Sequence, residues 1–388
     1  MNRIAERMGR IAPFYVMDLL ARARKLEAEG RSIIHMEIGE PDFETPAPVV
    51  AAGQRALAAG KTHYTPARGL PALRQLIANF YQERYATRVD PERVIVTPGS
   101  SGALQLAMSV LVNPGESVLM ADPGYPCNRH FVELVEGRPV AVPVGPETAY
   151  QLTAELVESA WRPDTKAVLI ASPSNPTGTL VDDDEMQRLL QTVRRLGGVL
   201  IVDEIYQGLI YGEAGGTALR FANDLFVLNS FSKFFGMTGW RLGWLVAPEG
   251  YIDALDRLAQ NIFLSAPTLS QFAALCAFTP ETLAILEQRR QAFESRRDFL
   301  LPALRQLGFS IPVTPSGAFY LYAGCEKMTD DSQAFAYQLL EQAGVAVTPG
   351  LDFGSHRPEA HLRFAYTTDL QKLAEGVERI RKFIAGLG

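Results

Sequence analysis

Short runs of β-branched and other apolar residues alternate with helical patterns through the middle of the chain, and this alternation constrains the fold more than any other feature. Each run predicts one buried strand: 94–96, 117–120, 139–142, 167–170, 199–202, 226–228 and 242–246. Helical patterns such as 102–112 and 183–196 lie between them. Near-continuous apolar strands with helical connections are typical of a mostly parallel sheet that helices cover on both faces. We therefore predict an α/β fold built around a seven-stranded sheet.

The pattern changes after Pro267, where a long helical stretch over 281–307 begins a different style of sequence. Short strand patterns follow near 319–321, 345–347 and 362–366, and a last helical pattern covers 369–386. We expect the N-terminal helical pattern around 15–30 to join them in a smaller α+β domain. The 388 residues therefore predict two domains. The large domain would span 46–275, and the small one would combine 1–45 with 276–388.

Composition excludes several classes of protein. The 37 Lys and Arg against 43 Asp and Glu give a net charge of −6, and no segment concentrates basic residues, so no nucleic-acid partner is expected. No stretch reaches the ~18 apolar residues that a membrane helix requires, so no membrane partner is expected either. Cys127, Cys276 and Cys325 stand far apart without a CxxC pair. This spacing indicates a reducing compartment, and we predict a cytoplasmic protein.

Polar, glycine-rich segments follow five of the predicted strands. In open α/β sheets, ligands bind beyond the carboxyl ends of the strands, so these segments should meet at one edge of the sheet. They are 97–102, 122–125, 172–178, 203–206 and 230–233. The sequence therefore predicts a single binding site at this edge.

The segment Gly99-Ser100-Ser101-Gly102 precedes the helical pattern over 102–112. Amides and hydroxyls at the start of a helix are suited to binding phosphate. The segment matches neither GxGxxG nor the P-loop pattern, so an ordinary strand-to-helix connection explains it equally well.

Two cationic residues follow the predicted strand 226–228. Lys233 lies among phenylalanines, and it is either a surface lysine or a desolvated amine suited to Schiff-base chemistry. Arg241 stands eight residues later beside an apolar strand. An isolated buried guanidinium is costly, so we interpret Arg241 as binding an anion.

Two polar residues end other strands. Asp203 directly follows the apolar run 199–202, where it either caps a turn or holds a protonated ring nitrogen, as pyridoxal chemistry requires. Asn175 lies in a proline-rich segment and fits simple turn chemistry as well.

Five segments together resemble the signature segments of class I/II aminotransferases, pyridoxal-phosphate enzymes of fold type I in the aspartate aminotransferase superfamily. They are IGEPDF at 38–43, YTPARG at 64–69, SPSNPTG at 172–178, DEIY at 203–206 and SFSKFFGMTGWRLG at 230–243. The resemblance covers essentially the whole chain in order. It implies pyridoxal 5′-phosphate as the cofactor and a homodimer as the assembly.

The resemblance also implies a role for each matching residue. Lys233 would form a Schiff base with the cofactor and later move the proton between the substrate α-carbon and the cofactor. Asp203 would pair with the pyridinium nitrogen, while Asn175 and Tyr206 would bind the phenolic oxygen. Tyr125 would stack on the ring. The implied phosphate contacts are Gly99, Ser100, Ser101, Ser230, Arg241 and, from the neighbouring subunit, Tyr64.

For the substrate, the resemblance implies that Arg363 binds the α-carboxylate and that the backbone of Gly39 approaches the same group. Asn175 would contact the substrate too. Strand alternation alone leaves Arg363 facing solvent. The segment 13–16, with Tyr15, and Tyr64 would line a side-chain pocket for neutral or apolar substrates. Alternatively, Arg129 or Arg68 would receive a second carboxylate.

Other enzyme classes fit the sequence less well. Residues 230–233 match the SxxK motif of penicillin-recognising acyl enzymes, but SDN and KTG segments are missing. The five histidines form no HExxH pattern.

Carbon–sulfur β-lyases and aminocyclopropane-carboxylate synthases fit the same residues, because they share the lysine, the aspartate and the arginine. A regulatory protein with this fold would normally add a DNA-binding segment. We predict an aminotransferase acting on an L-amino acid and a 2-oxo acid, pyruvate or 2-oxoglutarate, with a β-lyase as the alternative.

Overall fold

Within residues 4–212 and 215–386, which a computed structural model describes, the chain forms twelve strands and twelve α-helices. The strands are β1 (Ile34–His35), β2 (Val94–Thr97), β3 (Ser117–Asp122), β4 (Arg138–Pro143), β5 (Thr165–Ala171), β6 (Val199–Asp203), β7 (Phe226–Ser230), β8 (Gly243–Val246), β9 (Tyr320–Gly324), β10 (Val345–Ala346), β11 (Thr348–Pro349) and β12 (His361–Ala365).

The α-helices lie between and after these strands, with short 3₁₀ turns at several junctions. They are α1 (Tyr15–Ala28), α2 (Ala47–Ala58), α3 (Pro71–Tyr85), α4 (Gly99–Leu111), α5 (Cys127–Leu134), α6 (Ala154–Ala160), α7 (Asp183–Arg195), α8 (Ile252–Ile262), α9 (Thr268–Ala274), α10 (Pro280–Gln306), α11 (Ser332–Gln338) and α12 (Leu370–Ala385). None of the helices in these residues is long and apolar enough to cross a membrane.

The seven strands predicted from the apolar runs form one sheet, in the order β2-β8-β7-β6-β5-β3-β4. All of them run parallel except β8, which pairs antiparallel with both of its neighbours. Both faces of the central strands are buried, which explains why their sequences are apolar without alternation. The predicted α/β fold with a seven-stranded, mostly parallel sheet is confirmed.

Helix α7 shows how local sequence sets the boundaries of these elements. Asp182 caps the helix by accepting a hydrogen bond from the amide of Glu185 at 2.8 Å. Acidic residues fill the first turn and Arg194 and Arg195 the last, as the helix dipole favours. The helix ends within a residue of the prediction because the sequence contains both signals.

Two smaller sheets join the N-terminal and C-terminal segments. In one, β1 pairs with β10 in parallel, so that Ile34 lies opposite Val345. In the other, β12 lies between β11 and β9, antiparallel to both. The predicted strands near 319–321, 345–347 and 362–366 thus lie in these sheets, although the middle one divides into β10 and β11. The division into domains at 46 and 275 stays a prediction.

Candidate active site

A cavity of about 420 Å³ lies at the carboxyl ends of the main sheet strands, between that sheet, helix α1 and the smaller sheets. Its size is within the usual range for a small-molecule site. The cavity is lined by these residues that the sequence indicated: Gly39, Ser100, Ser101, Tyr125, Asn175, Asp203, Tyr206, Lys233 and Arg363. The prediction that the strand ends meet at one edge is therefore confirmed.

Asp203 ends β6, in the middle of the sheet, and its side chain is buried. One carboxylate oxygen accepts a hydrogen bond from the amide of Ile205 at 3.0 Å. Burial raises the pKa of Asp203 to about 6, while the Ile205 amide and the charge of Lys233 act in the opposite direction. A desolvated carboxylate that lines a cavity is suited to pairing with a cationic ligand group.

Lys233 lies in the loop between β7 and β8, and its amine donates a hydrogen bond to the carbonyl oxygen of Gly39 at 2.5 Å. Burial lowers the pKa of Lys233 to about 8, opposed by Glu40 and reinforced by Arg363. The amine therefore keeps an appreciable neutral fraction near neutral pH, as a nucleophile requires. Its place in the cavity wall contradicts the alternative of a surface lysine.

Tyr206 lies three residues after Asp203, and its hydroxyl is 2.8 Å from the hydroxyl of Tyr320 on β9. Both side chains are buried, and burial raises the pKa of Tyr206 well above its ordinary value, so both stay protonated. A β-carbon added to Gly39 would lie 1.9 Å from the Tyr320 hydroxyl oxygen. Only glycine fits there. The sequence did not indicate Tyr320, because it lies in a short apolar strand, where a tyrosine is usually part of the core.

Arg363 lies on β12 and is only 3% exposed, so the solvent-facing orientation suggested by strand alternation is wrong. The reason is that β12 is the middle strand of its sheet and both of its faces are covered. The guanidinium lies between two aromatic rings, 4.3 Å from the ring centre of Tyr320 and 4.9 Å from that of Phe353. This stacking orients the plane of the guanidinium group.

Hydrogen bonds fix the same guanidinium from the other directions. One terminal nitrogen donates to the side-chain oxygen of Asn175 at 2.9 Å, and the other to the carbonyl oxygen of Glu37 and to the hydroxyl of Thr348. The Nε atom is buried without a partner among the described residues. Because Arg363 lines the cavity and a planar guanidinium matches a carboxylate, the residue is suited to an anionic ligand such as a carboxylate.

Ser100 and Ser101 line the cavity from the first turn of α4. The helix begins at Gly99 rather than near 102, so the prediction that the Gly99–Gly102 segment precedes it is wrong. Gly99 has a φ of +69° and packs against Arg241, whose Nη2 atom would lie 2.7 Å from an added β-carbon. The amides of a first turn have no partner within the helix, so the segment still offers donors to an anion.

Two further predicted phosphate contacts are placed differently. Ser230 is buried, and its hydroxyl lies 2.9 Å from the hydroxyl of Ser232 and 3.2 Å from the carbonyl oxygen of Leu242. Arg241 is exposed, so its interpretation as a buried residue is wrong: it sits where the loop after Lys233 turns back to the sheet, and it donates to the carbonyl of Thr238 at 3.0 Å. Thr238, which the sequence did not indicate, lines the cavity.

Two predicted aromatic contacts do not line the cavity in the described chain. Tyr64 is 81% exposed and lies on a separate surface depression. Tyr15 begins α1, and its backbone amide bonds Asp352, while residues on either side of it reach the cavity. The α1 residues that line the cavity are Val16, Met17, Leu20 and Arg24, preceded by Phe14.

The two arginines proposed for a second carboxylate also lie outside this cavity. Arg68 pairs with Glu92 at 3.1 Å. Arg129 lines a smaller neighbouring cavity of about 160 Å³, which shares the wall formed by Tyr125 and Asn175. The α1 side of the main cavity is mainly apolar, with Arg24 as its charged residue.

A lysine, a buried carboxylate and a buried arginine that line one cavity at the strand ends of an α/β fold are the groups that aminotransferases share with carbon–sulfur β-lyases. The comparisons with known proteins identify the family. A model of the family "Aminotransferase class I and II" matches residues 31–380. The chain belongs to this family, whose members are generally pyridoxal-phosphate enzymes of fold type I and act on amino acids and 2-oxo acids.

Individual relatives match along almost their whole length. The chain is 38% identical to a (5-formylfuran-3-yl)methyl phosphate transaminase of Methanocaldococcus jannaschii, over 98% of this chain and 99% of that one. It is 37% identical to a valine–pyruvate aminotransferase of Mycobacterium tuberculosis, over 99% of each. A solved aminotransferase structure from Mycobacterium tuberculosis superposes with a TM-score of 0.96 over the full length of both chains, at 37% identity.

Proposed function

We propose that this chain is a pyridoxal-phosphate-dependent aminotransferase that exchanges an amino group between an L-amino acid and a 2-oxo acid, pyruvate or 2-oxoglutarate. One observation carries the proposal: the Lys233 amine, the Asp203 carboxylate and the partnerless Nε of Arg363 belong to residues that line one cavity. These three groups match a cofactor aldehyde, a pyridinium nitrogen and a substrate carboxylate in charge and chemistry.

The residues of the cavity fit the cofactor. Lys233 would bind it covalently through Nζ, and Asp203 would hold its ring nitrogen. Tyr206 and Asn175 would donate to its phenolic oxygen, and Tyr125 would cover one face of the ring. The first turn of α4, with Ser100 and Ser101, would bind the phosphate, helped by Gly99, Ser230 and Arg241. When bound, pyridoxal phosphate supplies an electron sink for the charge left by removal of the α-proton.

The chain itself provides proton transfer and substrate orientation. Lys233 would also be the base that moves the α-proton, and burial lowers the pKa of its amine towards neutral pH, which favours proton transfer. Arg363 would hold the α-carboxylate, with Asn175 and the Gly39 backbone beside it, so that the α-proton points towards Lys233. The Tyr206–Tyr320 hydrogen bond ties the cofactor side of the cavity to the substrate side.

The lining of the cavity bears on which amino-acid side chain the enzyme accepts. Apolar residues dominate the α1 side of the cavity, which favours neutral or apolar amino acids as substrates. The two relatives named above act on very different molecules, so their names do not fix the substrate of this chain.

We further propose a cytoplasmic homodimer and two domains, 46–275 and 1–45 with 276–388. The exposure of Tyr64 supports the dimer, because a tyrosine that reaches a neighbouring subunit's phosphate would be free in a single chain. Sedimentation of the active enzyme at assay concentration tests this: a monomer with full activity would remove Tyr64 from its cross-subunit role.

A panel of L-amino acids tests the function directly. Purified holoenzyme is mixed with single L-amino acids, and the cofactor absorbance is followed for conversion to the amine form. Pyruvate or 2-oxoglutarate should then restore the original spectrum. The alternative, a carbon–sulfur β-lyase, predicts release of ammonia and pyruvate from cystathionine without amino transfer, and that outcome would replace the proposal.

A further inference from the structure

Helix α1 begins without a cap from its own neighbourhood. Phe14 occupies the N-cap position and offers no side-chain acceptor to the first turn. Instead, the two carboxylate oxygens of Asp352 accept hydrogen bonds from the amides of Tyr15 and Val16, each at 2.8 Å. Asp352 comes from a segment more than three hundred residues away and is buried. A carboxylate at a helix N-terminus also interacts favourably with the helix dipole.

The segment that carries Asp352 is anchored independently of α1. The amide of Gly124 donates to the carbonyl of Phe353 at 2.8 Å, and the carboxylate of Asp122 accepts from the amide and hydroxyl of Ser355, both at 2.9 Å. A β-carbon on Gly354 would overlap the Asp122 carboxylate, so the packing there is close. Loss of the Asp352 carboxylate should therefore release the helix while its own segment stays in place.

The first turns of α1 form a wall of the cavity. Phe14, Val16, Met17 and Leu20 all line it, and Val16 is itself one of the tethered residues. The residue after Asp352 is Phe353, whose ring stacks on the guanidinium of Arg363. One segment thus holds both the apolar wall and the group that would bind the α-carboxylate.

We propose that Asp352 is a positioning residue that holds the apolar wall of α1 at a fixed distance from Arg363 and so sets the enzyme's preference for large amino-acid side chains. The inference rests on the proposed function. Asp352 does not line the cavity, so it would act only through α1. The proposal requires that only a long side chain of an amino acid held by Arg363 reaches this wall. L-Alanine, with a single methyl group, would be insensitive to the wall, whereas L-leucine and L-phenylalanine would depend on it.

The test compares kcat/KM for L-alanine, L-leucine and L-phenylalanine in the holoenzyme and in Asp352→Ala and Asp352→Asn. Loss of an N-cap destabilises the start of a helix, and misfitting a pocket by one methylene costs about tenfold or more. We therefore expect Asp352→Ala to lower kcat/KM about tenfold for the two large substrates and less than twofold for L-alanine. Asn keeps one acceptor oxygen, so Asp352→Asn should recover part of the loss.

Asp331 provides a matched control, because it caps α11 through the amides of Gln333 and Ala334 at 3.0 and 2.9 Å, and α11 does not line the cavity. Asp331→Ala should leave the substrate ratios unchanged. An equal loss for all three substrates in Asp352→Ala, or the same selective loss in Asp331→Ala, would overturn the inference. If Asp352→Ala does not fold, Asp352→Asn is judged by the same ratios.

Two further measurements separate this inference from the proposed function. Hydrogen exchange of the Tyr15 and Val16 amides should be about tenfold faster in Asp352→Ala, and unchanged exchange would disprove the tether. Phe14→Ala combined with Asp352→Ala should lose less for L-phenylalanine than the two single effects together, because both act through one wall. If the wild-type holoenzyme converts no amino acid, the proposed function fails. If the wild type is active but the Asp352 variants lose kcat/KM equally for all three substrates, only this inference fails.

Discussion

The two sides of the cavity are built in different ways. On the strand-end side, Asp203 is the last residue of β6 and lies opposite Ala171 in the β5–β6 pairing, while Lys233 lies in the loop that follows β7. On the opposite side, which we call the clamp side, Arg363 is held by side chains and carbonyl oxygens from distant parts of the chain. Asn175 is 188 residues away and Glu37 is 326 residues away. The cofactor side therefore depends on the sheet, whereas the substrate side depends on separate tethers that single substitutions can alter.

The largest effect should come from the strand-end side. Lys233→Ala removes both the proposed covalent attachment and the base, so transamination should fall by about 10⁴-fold or more. Lys166, which pairs with Glu116 at the surface, is the control, and Lys166→Ala should retain activity. Borohydride reduction checks the attachment: a Lys233→Ala protein that still forms a reducible linkage to pyridoxal phosphate would disprove the assignment.

A substitution on the clamp side should affect binding more than cofactor attachment. Arg363→Leu leaves the oxygen of Asn175 and the carbonyl of Glu37 without their donor, and we expect kcat/KM for amino acids to fall about 10²- to 10³-fold, mainly through KM. The absorbance of the bound cofactor should change little. Arg363→Lys keeps the charge but loses the planar fork, and it should recover only part of the activity. A large spectral change with normal KM would contradict the separation of the two sides.

Tyr320 connects the two sides, because its hydroxyl bonds Tyr206 and its ring stacks on Arg363. Tyr320→Phe keeps the ring and removes the hydrogen bond, so we expect a fivefold to tenfold loss in kcat/KM, consistent with about 1 kcal/mol for one hydrogen bond. Tyr322, two residues along β9, is also buried, and Tyr322→Phe serves as the control. An equal loss in both variants would indicate a general packing effect instead.

The last prediction concerns pH and His35, which contacts a residue that holds Arg363. The Nδ1 atom of His35 lies 2.6 Å from a carboxylate oxygen of Glu37, which is fully buried and whose carbonyl holds Arg363. Glu37 raises the pKa of His35 to about 9, aided by Glu27 and opposed by desolvation. This pKa is higher in the folded chain than in the unfolded chain. The His35–Glu37 pair therefore stabilises the fold fully below pH 6.5, and this stabilisation is lost as the pH rises through 9.

His35 is about a third exposed, so we reduce this contribution to about 1–2 kcal/mol for solvent screening. Urea unfolding of the wild type and of His35→Gln at pH 6 and pH 9.5 measures it. The wild-type advantage in free energy of unfolding should be present at pH 6 and absent at pH 9.5. Parallel curves for the two proteins would show that the pair contributes nothing.

The sequence predicted the strand-end side better than the clamp side, for a physical reason. Buried parallel strands require unbroken apolar runs, and ligands bind beyond their carboxyl ends, so Asp203 and Lys233 stood out by position. The roles assigned to them came from the family resemblance and stay proposals. Tyr320 and Asp352 act through contacts between segments far apart in the chain, and nothing in their local sequence indicates those contacts.

The wrong predictions have the same origin. Arg241 was interpreted as buried because an apolar strand follows it, yet the loop places it at the surface. Tyr15 lies in an aromatic segment whose helical phase the sequence does not show, and its neighbours line the cavity, so its contact with the substrate stays a prediction. For Arg363, strand alternation alone favours a solvent-facing side chain, because the sequence does not show that β12 is covered on both sides.

The antiparallel strand β8 has a consequence for how this architecture tolerates change. Since β7 arrives at the binding edge and β8 departs from it, the loop between them starts and finishes at that one edge, and it carries both Lys233 and Arg241. A parallel strand in the same place would begin at the opposite edge, and the chain would have to travel across the sheet before reaching it. Insertions or deletions between residues 231 and 242 would thus shift the amine and the guanidinium together, whereas the crossover helices elsewhere can vary in length without moving either.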